Sequence, residues 1–284
     1  MSHYTVLVVH NEDDDIDSIM APYAEQDADE QYLEFVNTED EELKKYNSEG
    51  VVKVKTADGR WLYEWDREFK GADILNPLDA PADLERKEFK FKELFATFEE
   101  YMVEWCGQSS RDEDEGVYGY KHNPNAKWDW YQVGGRWAGF FKVKDGVKGT
   151  VGKAGVFDNA PKFDSDVVRK GDIDWDNMRA TLQKEASERW DKYEEALKNG
   201  TLKDGDAYWT YGVEKDQTKE EYLMEANVST FAIVKDGKWY QKGEMGWWGM
   251  ASNEKKADVW VEEWNKLIDA LPDDTMLTVL DCHI

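Results

Sequence analysis

Cysteine, histidine and proline are scarce in this chain, and no hydrophobic run reaches the length of a membrane span. The 284 residues include two cysteines, four histidines and six prolines. Two cysteines, Cys106 and Cys282, are too few for a disulfide framework or a cysteine zinc site, which favours a cytosolic protein. The apolar run from Tyr4 to Val9 lacks the basic flank of a signal peptide and is too short to cross a bilayer. We therefore expect a soluble, cytoplasmic protein that does not associate with membranes.

Positive charge is also in deficit. The chain has 62 acidic and 36 basic residues, a formal net charge of −26. Residues 1–50 carry 15 of the acids and only two lysines, which amounts to half of the net charge. This balance repels nucleic-acid backbones and anionic membranes, so we expect no direct binding to either. The acidic segment is typical of a solvated face or of a docking surface for a basic partner protein, and composition leaves both interpretations open.

The order of the predicted elements indicates an α+β protein. Tyr4 to Val9 and Met276 to His283 are apolar and β-branched, as strands are. Hairpins are predicted at two Asp-Gly turns, 58–59 and 236–237. Helices are predicted over 91–105, 174–197 and 252–271, where large apolar residues recur every three or four positions. We interpret residues 1–284 as one ferredoxin-like antiparallel sheet with helices on one face, enlarged by an acidic insertion at 11–50 and a helical insertion at 172–226.

The densest motif runs from Lys127 to Trp137, with the sequence KWDWYQVGGRW, and leads into a predicted strand over 137–143. Paired glycines let a backbone turn tightly and bring N–H groups close to an anion. An arginine can clamp a phosphate or carboxylate through two hydrogen bonds, and tryptophans offer faces on which a planar ring can stack. The ligand-binding residues predicted from this motif are Trp128, Trp130, Tyr131, Gly134, Gly135, Arg136 and Trp137.

Two interpretations of the motif stay open. It predicts a pocket for a small, planar, anionic ligand such as a nucleotide, or the glycines form an ordinary turn, the tryptophans are core residues and Arg136 pairs with Asp129. A second cluster places Trp247 and Trp248 between glycines directly before the last predicted helix. These two tryptophans either complete the same site or anchor a loop.

Acid–base chemistry has two candidate residues, His122 just before the motif and Asp129 within it. A lone loop histidine is commonly inert, which is the competing interpretation. His10 and His283 end the first and last predicted strands, and antiparallel pairing would set them at opposite ends, against a two-histidine phosphodiesterase. The chain has no phosphate-loop motif, no Gly-x-Gly-x-x-Gly and no zinc-ligand spacing, so we predict neither a cofactor nor a metal.

Three stretches carry a resemblance to other proteins: the N-terminal MSHYTVLVV, the motif at 127–137, and RKGDID at 169–174. They resemble a family of uncharacterised proteins of bacteriophages and some bacteria. The resemblance transfers no catalytic residue, because that family has no assigned activity. It implies a phage setting, in which accessory proteins of this size often act on host processes or counter host defences.

The function predicted from the sequence is that of a phage accessory protein in the host cytoplasm that binds or hydrolyses a nucleotide-like anionic ligand. One alternative is a non-enzymatic acidic inhibitor that mimics nucleic acid or docks on a basic host protein. Another is a structural or assembly protein.

Overall fold

The computed structural model describes residues 2–69, 83–154, 161–246 and 249–284. Two compact units make up the chain: unit 1 comprises Met1–Tyr32 and Asn125–Ile284, and unit 2 comprises Leu33–Pro124. Both units contain helices and strands, which confirms the α+β class. Unit 2 is an insertion in the sequence of unit 1. It spans Leu33–Pro124, whereas the acidic insertion expected from the sequence was 11–50. The expected helical insertion at 172–226 lies within unit 1 and is helical.

The strands of the described residues are β1 His3–His10, β2 Glu34–Asn37, β3 Gly50–Lys55, β4 Trp61–Tyr63, β5 Arg86–Lys90, β6 Gly119–His122, β7 Trp130–Gly135, β8 Lys153–Ala154, β9 Val167–Arg169, β10 Ala232–Lys235, β11 Lys238–Gln241, β12 Glu244–Met245, β13 Ala251–Ser252 and β14 Met276–His283. The helices are α1 Ile16–Met20, α2 Glu39–Ser48, α3 Phe91–Leu94, α4 Phe98–Glu104, α5 Trp175–Lys198, α6 Asp206–Tyr211, α7 Lys219–Glu225 and α8 Ala257–Asp269. Within the parts of the chain that the structure describes, no helix has the length and apolar character needed to cross a bilayer.

The first and last strands form the centre of the main sheet in unit 1. Its order is β11-β10-β1-β14-β7-β8, and β9 pairs with β14 beside β7. β1 and β14 pair antiparallel along their whole length, from His3 opposite His283 to His10 opposite Met276. Continuous β-branched and apolar sequence suits strands that are covered on both faces, and most of β1 and β14 is buried. The two terminal strands predicted from the sequence are therefore confirmed.

The main sheet is mixed, so the prediction of an antiparallel sheet is wrong. β1 and β10 run parallel, as do β7 and β8. Parallel neighbours need a long crossover connection, and the chain between β1 and β10 is more than long enough to return in the same direction. The sequence indicates antiparallel pairing at its two Asp-Gly hairpin turns, because a hairpin joins antiparallel strands. Parallel pairing has no comparable local signal in the sequence.

Helices cover both faces of this sheet. Trp260, Trp264 and Ile268 of α8 pack on one face, against a core that includes Leu7 of β1 and residues of α5. On the other face Met20 of α1 packs against residues of β1, β10 and β14. The two long helices share a face, but the short α1 covers the opposite one, so the prediction of helices on only one face is wrong.

Unit 2 contains a three-stranded sheet, β4-β3-β5, the pair β2-β6, and helices α2 to α4. Its core is rich in aromatic rings: Tyr46, Val51, Phe91, Phe95, Tyr101, Met102 and Tyr118. The single helix predicted over 91–105 is wrong, because α3 ends before Phe95, whose backbone is extended. Thr97 then caps α4 by accepting a hydrogen bond from the Glu100 N–H. A local cap thus interrupts an apolar spacing that is otherwise continuous.

Candidate functional site

Residues 130–135 of the motif form strand β7, and the strand separates the side chains of the motif. β7 pairs antiparallel with β14, with Trp130 opposite His283 and Tyr131 opposite Cys282. Successive residues of a strand point to opposite faces, so Trp130 and Tyr131 face opposite ways. The expected strand over 137–143 is replaced by turns and by isolated bridges at Phe141 and Val143. The predicted ligand-binding residues therefore do not surround one pocket.

Gly134 and Gly135 let two buried carboxylates approach the backbone. Both have positive φ, +77° and +55°. A Cβ at Gly134 would lie 2.5 Å from an oxygen of Asp166, and one at Gly135 would lie 2.3 Å from Asp281. Asp281 accepts a hydrogen bond from the Arg136 N–H at 2.9 Å, and Asp166 accepts one from the Phe140 N–H at 2.8 Å. The anions beside the glycine pair are thus the protein's own carboxylates.

Arg136 and Trp137 line a cavity of about 280 Å³ in unit 1. Its described lining is mostly apolar and aromatic: Arg136, Trp137, Ala138, Phe140, Lys162, Phe163, Met178, Leu182, Asn227, Val228 and Ser229. Two of these residues are cationic, and none of the described lining residues is Asp, Glu, His or Cys. Lys162 is paired with Glu185, and Arg136 is the other cation of the described lining.

The tryptophans at the start of the motif line a separate open groove of about 410 Å³. Its described lining is Asp17, Ala21, Ala24, Gln26, Asp27, Ala28, Asp29, Trp128, Asp129, Trp130 and Tyr131, which includes four carboxylates and no Lys or Arg. The Tyr131 hydroxyl donates a hydrogen bond to Asp17. Burial first, and then that carboxylate, raise the pKa of Tyr131. The described lining of this groove is acidic, whereas that of the cavity beside Arg136 is basic.

Two histidine–aspartate pairs meet between these features. His3 Nδ1 lies 2.8 Å from Asp281 Oδ1, and His283 Nδ1 lies 2.7 Å from Asp129 Oδ1. The two imidazole centroids are 4.9 Å apart. Trp130 stacks on His283 at 5.0 Å and meets His3 edge-on at 5.3 Å, so one indole covers both rings. Each histidine is oriented by a carboxylate, which is the arrangement of an acid–base residue.

These histidines are closed off from solvent. Both side chains are 7% exposed, and the Asp281 carboxylate is fully buried. His283 Nε2 is buried and has no hydrogen-bond partner among the described residues. The cluster joins β1, β14 and β7. No group of three or more His, Cys, Asp or Glu side chains in the described ranges is placed to hold a metal ion.

The two candidates for acid–base work lie in different units. Asp129, in unit 1, is engaged by His283. His122 ends β6 of unit 2, where it is exposed and its ring lies 5.8 Å from that of Tyr120. The catalytic role predicted for either residue stays a prediction. Trp247 and Trp248 lie outside the described residues.

No known protein family, no curated protein and no solved structure matches this chain.

Sequence analysis missed the partners of the motif. Asp166 and Asp281 are distant in sequence, and nothing local shows that they abut the glycines. A signal for the histidine cluster did exist, because two antiparallel terminal strands bring the first residues of one to the last residues of the other. His10 lies opposite Met276, far from His283 as expected, but His3 lies directly opposite His283.

Proposed function

We propose that unit 1 binds a small ligand that combines an anionic group with a planar or apolar body, in the cavity beside Arg136 and Trp137. A nucleoside monophosphate has this chemistry. The resemblance to bacteriophage proteins supports a wider role, in which the chain is a phage accessory protein that acts in the host cytoplasm by capturing such a ligand. Interference with a host defence that uses a nucleotide signal is one form of that role.

The charge of the cavity lining is the observation that carries this proposal. In a chain of net charge −26, the described lining holds two cations and no carboxylate. A low-dielectric wall of aromatic and aliphatic side chains strengthens the attraction between Arg136 and an anion. The volume of about 280 Å³ lies at the lower end of small-molecule sites, which span roughly 300–1,000 Å³. These properties favour a mononucleotide over a larger ligand.

The lining supports binding over hydrolysis. General acid–base catalysis needs a titratable group within hydrogen-bond reach of the substrate. The described lining offers Ser229 and Asn227 as polar side chains, and it has no histidine or carboxylate that could act as a base. We therefore propose capture of the ligand without turnover.

The test is a calorimetric titration with nucleoside monophosphates and cyclic nucleotides, with the free nucleosides and inorganic phosphate as comparison ligands. The phosphorylated ligands should bind more tightly than either part alone. Arg136→Ala should weaken their binding at least tenfold, because a hydrogen bond to a charged group contributes about 1.5–3 kcal/mol. Arg189→Ala removes the same charge from an exposed position of α5 and should leave binding unchanged. Absence of binding, or equal binding to both variants, would contradict the proposal.

The acidic groove supports a second candidate function, docking on a basic partner protein. Its four carboxylates and three aromatic rings match a lysine or arginine side chain, which is attracted both by carboxylates and by ring faces. A basic peptide should bind with an affinity that falls as salt rises, since salt screens exposed charges. The double variant Asp27→Asn, Asp29→Asn should weaken that binding, and Asp273→Asn, Asp274→Asn should not. Salt-independent binding would count against this function.

A further inference from the structure

The three-stranded sheet of unit 2 has the opposite charge from the chain as a whole. Its strands read GVVKVK, WLY and RKEFK, and together they carry five cations and one acid. The chain as a whole has a net charge of −26. Three of these cations are paired with neighbouring carboxylates, Lys55 with Glu85, Arg86 with Glu64 and Lys90 with Glu88. The remaining two are Lys53 and Lys87.

The register of the sheet gathers aromatic rings and lysines on one face. Lys53 lies opposite both Tyr63 and Lys87, and Lys55 lies opposite Trp61. Residues directly opposite each other share a face, and alternate residues along a strand return to it. The basic-aromatic face defined in this way consists of Val51, Lys53, Lys55, Trp61, Tyr63, Lys87 and Phe89, and Val51 at one end of it belongs to the core of unit 2.

The lysines of the basic-aromatic face lie near its rings. Lys53 Nζ is 4.2 Å from the centroid of Tyr63, and Lys87 Nζ is 4.8 Å from that of Phe89. Lys55 is paired with Glu85 at 3.1 Å. None of the ion pairs between described residues includes Lys53 or Lys87. Two ammonium groups of this face are thus available to an external anion.

An aromatic recess adjoins these lysines. Tyr63 stacks on Trp65 with the ring centroids 5.0 Å apart and the planes inclined by 8°. Trp65 is 52% exposed. The two rings line an open recess of about 510 Å³ together with Phe95, Glu104 and Trp105. Trp65 therefore offers an exposed ring beside Tyr63, and the Tyr63 ring is in contact with Lys53 Nζ as well.

We propose that the basic-aromatic face binds single-stranded nucleic acid, with a base stacked at Trp65 and phosphates at Lys53 and Lys87. Rings on a sheet beside a basic surface are the means by which unpaired bases are held without sequence preference. This site is separate from the cavity in unit 1 and does not rest on the function proposed for that cavity.

Fluorescence anisotropy with a labelled oligothymidine of about twelve nucleotides tests the proposal, with salt varied from about 50 to about 200 mM. A single strand loses affinity with a logarithmic slope of about −0.7 for each phosphate that is neutralised, so two lysines give a slope of about −1.4. Lys87→Gln should reduce the slope by about 0.7. Lys90→Gln is the matched control, because Lys90 lies on the opposite face of the same strand and pairs with Glu88.

Stacking is tested separately from charge. Trp65→Ala should weaken binding on the order of tenfold with the salt slope unchanged, since each stacked base contributes about 1–3 kcal/mol. Trp209→Ala removes a tryptophan that is 83% exposed in unit 1 and should have no effect. Arg136→Ala should not alter oligonucleotide binding, which distinguishes this site from the cavity. Thermal melts followed by circular dichroism establish that each variant is folded.

Three results would overturn the proposal. The first is no binding of the oligonucleotide at the lowest salt. The second is an equal change in slope for Lys87→Gln and Lys90→Gln. The third is that polyglutamate displaces the labelled strand as effectively as unlabelled oligothymidine does. That result would identify a surface for acidic polypeptides.

Discussion

Replacing Asp281 with asparagine should loosen the centre of the main sheet. The carboxylate is fully buried and accepts two hydrogen bonds, from His3 Nδ1 at 2.8 Å and from the Arg136 N–H at 2.9 Å. Asparagine has almost the same shape but only one acceptor oxygen, so its amide group faces one of these donors. The loss of one hydrogen bond to a charged group costs about 1.5–3 kcal/mol. The equilibrium for local opening should therefore rise roughly tenfold to hundredfold.

Hydrogen exchange followed by mass spectrometry locates that effect. Amide protection should fall in peptides from β1, β7 and β14, the strands joined by the histidine–aspartate cluster. Peptides from β3 to β5, in unit 2, serve as an internal reference. Asp274→Asn is the matched control, because Asp274 is exposed just before β14. The reasoning is refuted if the two asparagine variants lose protection equally, or if the loss in β14 is below about 0.5 kcal/mol, the range of ordinary surface substitutions.

Two further predictions concern a glycine and an exposed carboxylate. Gly135→Ala should lower the free energy of unfolding of unit 1 by about 2–5 kcal/mol in urea, because the strain of a positive φ adds to the overlap of the new Cβ with the buried Asp281 carboxylate. Gly146 also has a positive φ, but a Cβ there would lie in open space, so Gly146→Ala should lower the free energy of unfolding by only about 1–2 kcal/mol. Hydrogen bonds from Thr56 and then Arg60 lower the pKa of Asp58 to about 2. The resulting stabilisation is complete above the unfolded-state pKa of about 4 and is lost as the pH falls through about 2. An NMR titration should place the midpoint of Asp58 near 2, and a midpoint near 4 would contradict this cause.

The sequence predicts best those elements whose signals are local. Asp236 and Gly237 both have positive φ, which is the turn geometry that an Asp-Gly pair adopts between two strands. Asp174 caps α5 through its side chain, as its position before the apolar spacing indicates. These features depend on a few neighbouring residues. They are visible before any tertiary contact is known.

Predictions that required long-range pairing were less successful. The division into two compact units depends on which distant segments contact each other, and 33–124 shows no composition break that marks it. The parallel pairing of β1 with β10 likewise joins residues more than 200 positions apart. A connection of that length allows the returning strand to run either parallel or antiparallel to the first. Local turn chemistry carries no information about it.

The residues of the motif are arranged differently from the prediction. The glycine pair was interpreted as a turn that leads into a strand, so the aromatic residues before it were expected to converge. The strand actually comes first and ends at the glycines, which sends Trp130 and Tyr131 to opposite faces. Arg136 and Trp137 then follow in a turn and line a different cavity. Because the strand lies before the glycines and not after them, the residues of the one expected pocket line two cavities, and the described linings of these cavities have opposite charge.

The net charge of the chain is a poor guide to its partners for a related reason. A charge acts within roughly 8 Å at physiological salt, whereas the total of −26 is summed over the entire chain. Within that distance the structure has one groove lined by four carboxylates, one cavity lined by two cations, and one sheet whose strands carry five cations against one acid. Each of these surfaces attracts a different class of partner. The proposal of nucleic-acid binding at the β4-β3-β5 sheet depends on this difference between local and total charge, because alternation places Lys53 and Lys87 on the same face as aromatic rings.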